Sequence, residues 1–447
     1  MLDSLPPSFR RDTIFAAASG GGRAAIAVIR VSGPACVHAL DALAPGARLA
    51  DRIATLRALR DPATGETLDR ALVLRFEAPR SFTGEDMAEL QVTGGRAVVA
   101  GVLRALAQLP GLRPAEPGEF AWRAFENGKL DLSEVEGLAD LVEAETAAQR
   151  RQALRIAGGA LSRESEAIRA KLIEAMALVE AQIDFSDVED ADALSLEGAR
   201  ALAAAAAVQL RAALAGAAAG ERLREGFNVV IAGPPNVGKS TLMNALARRD
   251  VSIVSAIPGT TRDLVEVPLE LRGFPVILVD TAGIRDTDDP IEQEGVARAR
   301  RRAEEADLTL WLSDAAAPVP PPGPGGSALP VLTKADLSGA DDAAPAGAIR
   351  ISARTGAGLD RLLDAIADLA EAGMGGPAPA LITLERHRIA FADALDALER
   401  ALDPREEALE LVAEDLRVAA RALARIVGRI DVEEVLGDIF SRLCVGK

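Results

Sequence analysis

The stretch FNVVIAGPPNVGKS, residues 227–240, decides the reading of this chain. It runs from an apolar segment straight into Gly233-x-x-x-x-Gly238-Lys239-Ser240, and the helical pattern of residues 241–247 follows at once. An apolar strand, a glycine-rich turn and a helix start in that order form a phosphate-binding loop. The glycines let backbone N–H groups converge on phosphate at the helix N-terminus. Lys239 neutralises the β and γ oxygens, and the Ser240 hydroxyl suits magnesium. Asn236, Val237 and Thr241 complete the contact set.

Three elements farther along fix the nucleotide. Asp280-Thr281-Ala282-Gly283 ends the strand FPVILVD, where the carboxylate can hold magnesium through water and the Gly283 amide can sense a γ-phosphate. Thr333-Lys334-Ala-Asp336 ends the strand LPVLTKAD. An aspartate there accepts from both N1–H and the 2-amino group of guanine, a pair that adenine lacks, while Lys334 can lay its stem along the base. Ser352-Ala353-Arg354 follows one strand later and suits the base oxygen. Together these define a GTP-binding domain. Between loop and Asp280 lies a segment expected to close over the γ-phosphate, with Ser255, Ala256, Ile257, Pro258, Gly259, Thr260 and Thr261 in contact and Thr261 as the second magnesium ligand. The position after DTAG is Ile284, which cannot orient water, so hydrolysis must borrow another group. Arg285, Asp286, Asp288, Asp289, Glu292 and Glu294 are the candidates that spacing leaves open.

Outward from this domain the period changes. FNVVIAG, FPVILVD, LTLWLSD, LPVLTKAD and AIRISA read as continuous apolar strands of a mostly parallel sheet covered on both faces. The run PVPPPGPGG from Pro318 to Gly326 reads as a surface loop. Before the domain, Ser133 and Glu136 fit a capping box, and apolar residues recur at helical spacing to Ile183, with a break expected at Gly158-Gly159. An Ala-rich helical tract covers Leu196 to about Ala218. After the helix that starts at Leu359, residues from about Leu381 are helical again, so the GTPase domain interrupts a helical one. Residues from Asp12 to about Phe125 alternate short apolar runs with Gly and Pro, as a small mixed α/β domain does.

The 447 residues allow roughly three domains, and 49% hydrophobic with 26% charged residues excludes a disordered or collagen-like chain. Aromatic residues are 3% and tyrosine is absent. The formal charge of −17 is a poor match for nucleic acid phosphates, so any RNA work needs a local patch or a partner. Two cysteines, Cys36 and Cys444, are too few for a disulfide framework. The N-terminus carries Asp3 and Pro6-Pro7 where a signal peptide needs an unbroken apolar run. The run Leu202–Val208, flanked by Arg200 and Arg211, is too short for a membrane span. A soluble cytoplasmic protein is expected.

Six motifs run through the chain: DTIFAAASGGGRAAIAVIRVSG from Asp12, SFTGEDMAELQ from Ser81, PGEFAWRAFENGKLDL from Pro117, PNVGKSTLMNAL, IPGTTRD and the terminal CVGK. On these, over nearly its whole length, the chain resembles the MnmE/TrmE family of tRNA-modification GTPases. The resemblance implies four segments: a folate-binding and dimerising α+β domain over 1–127, a helical half over 128–224, a Ras-like GTPase domain over 225–371, and a second helical half over 372–447. It implies a homodimer, potassium-stimulated hydrolysis with magnesium, and a flavoprotein partner, MnmG, which holds most of the tRNA. With that partner the family builds a carboxymethylaminomethyl or aminomethyl group at C5 of the wobble uridine from a tetrahydrofolate one-carbon unit such as 5-formyltetrahydrofolate. Carried over by position, potassium falls on Asn236, Ser255, Ile257 and Thr260, the hydrolytic glutamate on Glu292, and folate on Arg30, Glu89, Lys129 and Lys447.

Three departures stand out: Thr93 where the family has histidine, Thr333 where asparagine is usual, and Ser255 where threonine is common. Thr333 is expected to weaken nucleotide binding without changing base choice. Two other readings share parts of this pattern. A ribosome-assembly GTPase would have the same loop but would add a basic RNA module, which the charge argues against. A non-catalytic folate-sensing switch would lack the modification activity.

Overall fold

Two six-stranded sheets organise the chain in the computed structural model, which describes residues 12–184, 193–249, 266–280, 306–321, 328–337, 347–375, 380–403, 405, 408–430 and 446. The chain divides into two compact units. One comprises Met1–Ala139, Ala157–Arg169 and Ala420–Lys447; the other comprises Asp140–Ile156 and Ala170–Ala419.

The sheet of the first unit contains β1 (Thr13–Ala17), β2 (Ile26–Ser32), β3 (Thr55–Arg60), β4 (Thr67–Phe76), β5 (Met87–Thr93) and β6 (Leu112–Pro114), in the order β3-β4-β5-β2-β1-β6. Its pairs are antiparallel except for the parallel β1–β6 edge. Alternation decides what each face buries. Ala27, Ile29 and Val31 of β2 and Ala88, Leu90 and Val92 of β5 join a core with Leu40 and Leu43 of the helix Cys36–Leu43 and with Val102 and Leu106 of the helix Arg96–Ala107. The residues between them, Arg30 and Glu89 among them, therefore point to the opposite face.

The helix Leu132–Glu143 starts two residues earlier than a box capped by Ser133 would start it. Asp131 Oδ1 accepts from the Glu134 amide at 3.0 Å, and Glu134 Oε2 accepts from the Asp131 amide at 2.9 Å. The reciprocal cap is thus Asp131/Glu134 rather than Ser133/Glu136. Ser133 lies inside the first turn, fully buried, and donates to Asp131 Oδ1 at 2.7 Å.

The second sheet contains β7 (Phe227–Ala232), β8 (Glu266–Leu271), β9 (Phe274–Asp280), β10 (Leu308–Asp314), β11 (Ala328–Thr333) and β12 (Ile349–Arg350), in the order β12-β11-β10-β7-β9-β8. Every pair is parallel except β8–β9. β7 is buried along almost its whole length, as a central parallel strand must be. Val229 and Ile231 enter one core with Leu278, Leu310 and Leu242, while Val230 and Val279 bury on the other face beside Ile277 and Ala306. The fold class is as read: an α+β domain, helical segments and a mostly parallel nucleotide-type sheet.

Among the helices, Ala147–Ala157 and Ala160–Asp184 are separated at Gly158-Gly159 as expected. The Ala-rich tract forms Ala193–Ala215 and Ala217–Glu225. By length and composition Leu196–Glu225 is long and apolar enough to cross a membrane, which the Arg-flanked run Leu202–Val208 did not indicate. Its small face nonetheless has a protein partner. Ala199, Ala203, Ala206, Ala207 and Leu210 are buried, and the helix packs on Glu385–Ala401. Alanine's little side chain lets two helix backbones approach, which a plain spacer helix would not require.

Candidate nucleotide site and a second polar cluster

The order of the second sheet creates a switch point at β7, since β9 lies on one side of it and β10 on the other. Connections leave such a point in opposite directions and open a crevice at the strands' carboxyl ends. All the expected nucleotide elements that fall among the described residues sit there: Gly233 to Ser240 after β7, Asp280 ending β9, Thr333 ending β11 and Ser352 just past β12.

Gly233 has φ +144°, and a Cβ there would lie 2.2 Å from the Leu312 carbonyl of β10, so only glycine lets the loop cross that strand. Gly238 (φ 101°) caps the helix Lys239–Ala247 in the left-handed region. Asn236 is also left-handed at φ 60° and is exposed at the loop's tip. Lys239 Nζ donates to the carbonyls of Gly233 at 2.9 Å and Pro234 at 3.0 Å, so the ammonium is held over its own loop. Val237 is buried, and Thr241 is exposed in the helix's first turn.

Ser240 Oγ donates to Asp280 Oδ2 at 3.0 Å. Two oxygen ligands from different motifs thus meet, a hard donor pair that fits magnesium and does not fit a soft metal. Among the described residues no group of three or more His, Cys, Asp or Glu side chains gathers as a metal centre.

On the base side, the Ser352 hydroxyl bonds the Asp336 carboxylate, and with the residue's own amide it holds that carboxyl below the usual carboxylate range. Asp336 is exposed and therefore ionised and presented. Ala353 is half-buried and Arg354 exposed beside it. Thr333 is 5% exposed, and its Oγ1 lies 2.7 Å from the Val237 carbonyl and 3.2 Å from the Ser313 carbonyl. The hydroxyl therefore ties β11 to the phosphate loop, a role the sequence does not reveal. Sequence reading also missed Asp314, the last residue of β10, whose Oδ2 lies 2.9 Å from Lys334 Nζ. The available signal was its place as the last residue of the apolar run LTLWLSD.

Ser255, Ala256, Ile257, Pro258, Gly259, Thr260 and Thr261 lie outside the described residues, as do Thr281, Ala282, Gly283, Ile284, Glu292 and its alternatives, and Cys444 and Lys447.

The first unit brings two of the four expected folate residues together. Arg30 and Glu89 stand opposite each other on β2 and β5, with Arg30 Nη2 3.0 Å from Glu89 Oε1. The guanidinium also lies over the rings of Phe82 at 5.2 Å and Phe120 at 5.6 Å. Its Nη1 donates to the Gly446 carbonyl at 3.1 Å, so the C-terminal residue preceding Lys447 docks on this face. Lys129 Nζ instead donates to the Pro79 carbonyl at 3.1 Å. The two aromatic rings belong to SFTGED and PGEFAW but were not singled out in the sequence.

A phosphate-binding loop at the β7 switch point, with a guanine-type carboxylate just past β11, defines the class: a GTP-binding protein. The comparisons agree and narrow it. Residues 13–129 match the GTP-binding protein TrmE N-terminus model and residues 132–444 the MnmE helical domain model. A tRNA modification GTPase MnmE from Beijerinckia indica is 56% identical over 99% of this chain and 98% of its own length. Its counterpart from Methylobacterium sp. is 56% identical over 98% of this chain and 100% of its own. The FeoB G-domain from Methanococcus jannaschii is 25% identical over 32% of this chain and 98% of its own, with a TM-score of 0.23. The chain belongs to the MnmE family of tRNA modification GTPases, and it is a GTP hydrolase acting in tRNA modification.

Proposed function

We propose that this GTPase is stimulated by potassium and works with a flavoprotein partner of the MnmG kind, as a homodimer, to build an aminomethyl-type group at C5 of the wobble uridine from a tetrahydrofolate one-carbon unit. The observation that carries the nucleotide part is the meeting of Ser240 and Asp280 at 3.0 Å beside the phosphate loop.

Magnesium, when bound, supplies positive charge beside the β and γ oxygens; Ser240 and Thr261 would hold it, with Asp280 reaching it through water. Lys239 adds a fixed cation from the loop. Asn236 would share potassium with Ser255, Ile257 and Thr260, supported by its exposed, left-handed place at the loop tip. Glu292 would order the attacking water, supported by the apolar Ile284 where a water-orienting side chain is expected. Asp336 accepts from guanine, and Lys334 and Ser352 to Arg354 flank the base.

For the one-carbon unit, the face bearing Arg30 and Glu89 offers a cation, a carboxylate and two aromatic rings in one place, which suits a pterin with a glutamate tail. Lys129 and Lys447 would complete it. On this proposal the four segments meet at about residues 127, 224 and 371.

The test is reconstitution of the full chain with purified flavoprotein, unmodified tRNA, a tetrahydrofolate one-carbon donor, glycine or ammonium as the nitrogen source, and GTP in potassium or sodium buffer. Modified wobble uridine in potassium alone is the expected outcome. Modification that proceeds equally without this chain, or without GTP, would overturn the reading.

A further inference from the structure

Lys334 has φ +56°, a left-handed conformation that a side-chain-bearing residue keeps only where its surroundings over-determine it. The peptide group that follows it is held at both of its polar atoms: the Ala335 amide donates to the Ile351 carbonyl at 3.0 Å, and the Lys334 carbonyl accepts from the Leu337 amide at 2.9 Å. Its side chain is fixed at the far end, where Nζ lies 2.9 Å from Asp314 Oδ2.

Asp314 is itself anchored. Its Oδ1 accepts from the Ala316 amide at 3.0 Å, its carbonyl accepts from the Ala317 amide at 3.0 Å, and it stands opposite Thr333 in the β10–β11 ladder. One carboxylate oxygen therefore closes the turn after β10, and the other reaches across to the lysine.

We propose that Asp314 is a positioning residue for guanine recognition: it pins the ammonium of Lys334 at the strand ends so that the methylene stem lies across the base held by Asp336. The inference rests on reading Thr333 to Asp336 as the guanine motif. A lysine stem has four rotatable bonds and loses rotamer freedom when laid against a base, and an anchored acid removes that freedom before nucleotide arrives. An exposed ion pair formed for its own sake contributes little, and it needs no left-handed backbone at one partner and no anchored oxygen at the other. Without Asp314, Lys334 Nζ would turn to solvent or toward phosphate and the base would lose its platform.

The experiment is a double-mutant cycle on the full chain, reading GDP dissociation, kcat and KM for GTP. Asp314→Asn should speed GDP dissociation about five- to tenfold and raise KM alike, with kcat within about twofold. Asp314→Ser, which can still accept from the Ala316 amide but lacks the charge, should behave the same and keep the parental melting temperature. In a Lys334→Ala background, Asp314→Asn should add less than about twofold. An undiminished effect in that background, or parental dissociation for Asp314→Asn, overturns the proposal. Parental dissociation for Lys334→Ala alone would instead sink the guanine-motif reading on which it rests.

Discussion

Replacing Thr333 by valine removes one hydroxyl and keeps the shape, which isolates the bond between β11 and the phosphate loop. The hydroxyl has a single proton and two carbonyls within reach, Val237 at 2.7 Å and Ser313 at 3.2 Å. The shorter contact is the stronger, and Val237 sits two residues before Lys239. Thr333 is 5% exposed, so water cannot replace the lost donor freely. A buried acceptor left without its partner costs about 1–3 kcal/mol, against about 1 kcal/mol for an average neutral bond that water can replace. We therefore expect Thr333→Val to lose about 1–2 kcal/mol of stability, a fall in Tm of about 2–6 °C for a unit of this size. Part of the loss should reappear in binding, because the carbonyl belongs to the loop that cradles phosphate: about three- to tenfold weaker GDP affinity, with guanine still preferred. Melting curves with and without saturating GDP, together with titration of a fluorescent GDP analogue, measure both quantities. Thr333→Ser, which keeps the donor, should stay close to the parent in both. A valine variant that melts and binds like the parent would refute the tether, and so would a serine variant as weak as valine.

Hydrolysis should rise strongly in potassium over sodium, and Asn236→Ala should abolish that difference while leaving GTP binding largely intact; equal parental rates in the two salts at matched ionic strength would count against the site. Asp336→Asn should exchange guanine preference for xanthine, because an amide offers a donor where the carboxylate accepted; competition between GTP and XTP decides it. Burial pushes the Cys36 thiol from an ordinary 9.0 to about 12. A raised folded value means full stability below pH 9, where the thiol is protonated in both states, and loss as pH climbs toward 12. The stability advantage over Cys36→Ala should then shrink by about 1.4 kcal/mol per pH unit across that window in urea melts, and a pH-independent gap would contradict it. At Gly446 a Cβ would lie 2.3 Å from the Ala18 Cα, so Gly446→Ala should displace residue 446 from its contact with Arg30. It should weaken 5-formyltetrahydrofolate binding and tRNA modification yet leave GTP hydrolysis within about twofold; parental folate affinity would show the docking to be irrelevant.

The elements legible in the sequence were those whose signal is local. A run such as FPVILVD cannot be an amphipathic helix and must be covered on both faces, so β7, β9, β10 and β11 stood out before any coordinate did. Glycine spacing fixed the phosphate loop for the same reason: Gly233 lies against the β10 backbone at Leu312, and the motif encodes that closeness. Ser133 and Glu136 misled because two overlapping four-residue stretches, 131–134 and 133–136, both satisfy the capping pattern. Which one closes the box depends on where the helix starts, and the Asp131 carboxylate decides that by bonding the Glu134 amide. The Ala-rich tract was legible as helix but not in its packing, since a composition with little apolar area per residue does not show that it lies closely against Glu385–Ala401.

What stayed hidden depends on partners far apart in the chain. Arg30 and the Gly446 carbonyl are 416 residues apart, and Asp314 and Lys334 are 20 apart with a loop between, so no spacing rule joins either pair. Topology joins the second pair: parallel strands end level, so the last residues of β10 and β11 must be neighbours once the strand order is known. The same alignment brings Ser240 to Asp280 across β7 and β9. Each motif of the GTPase was thus readable alone, while the contacts that arm it follow from one fact of register. A substitution that shifts the β10–β11 register by a single residue would therefore separate Asp314 from Lys334 and Thr333 from Val237 together, leaving every motif intact in sequence and the site disarmed.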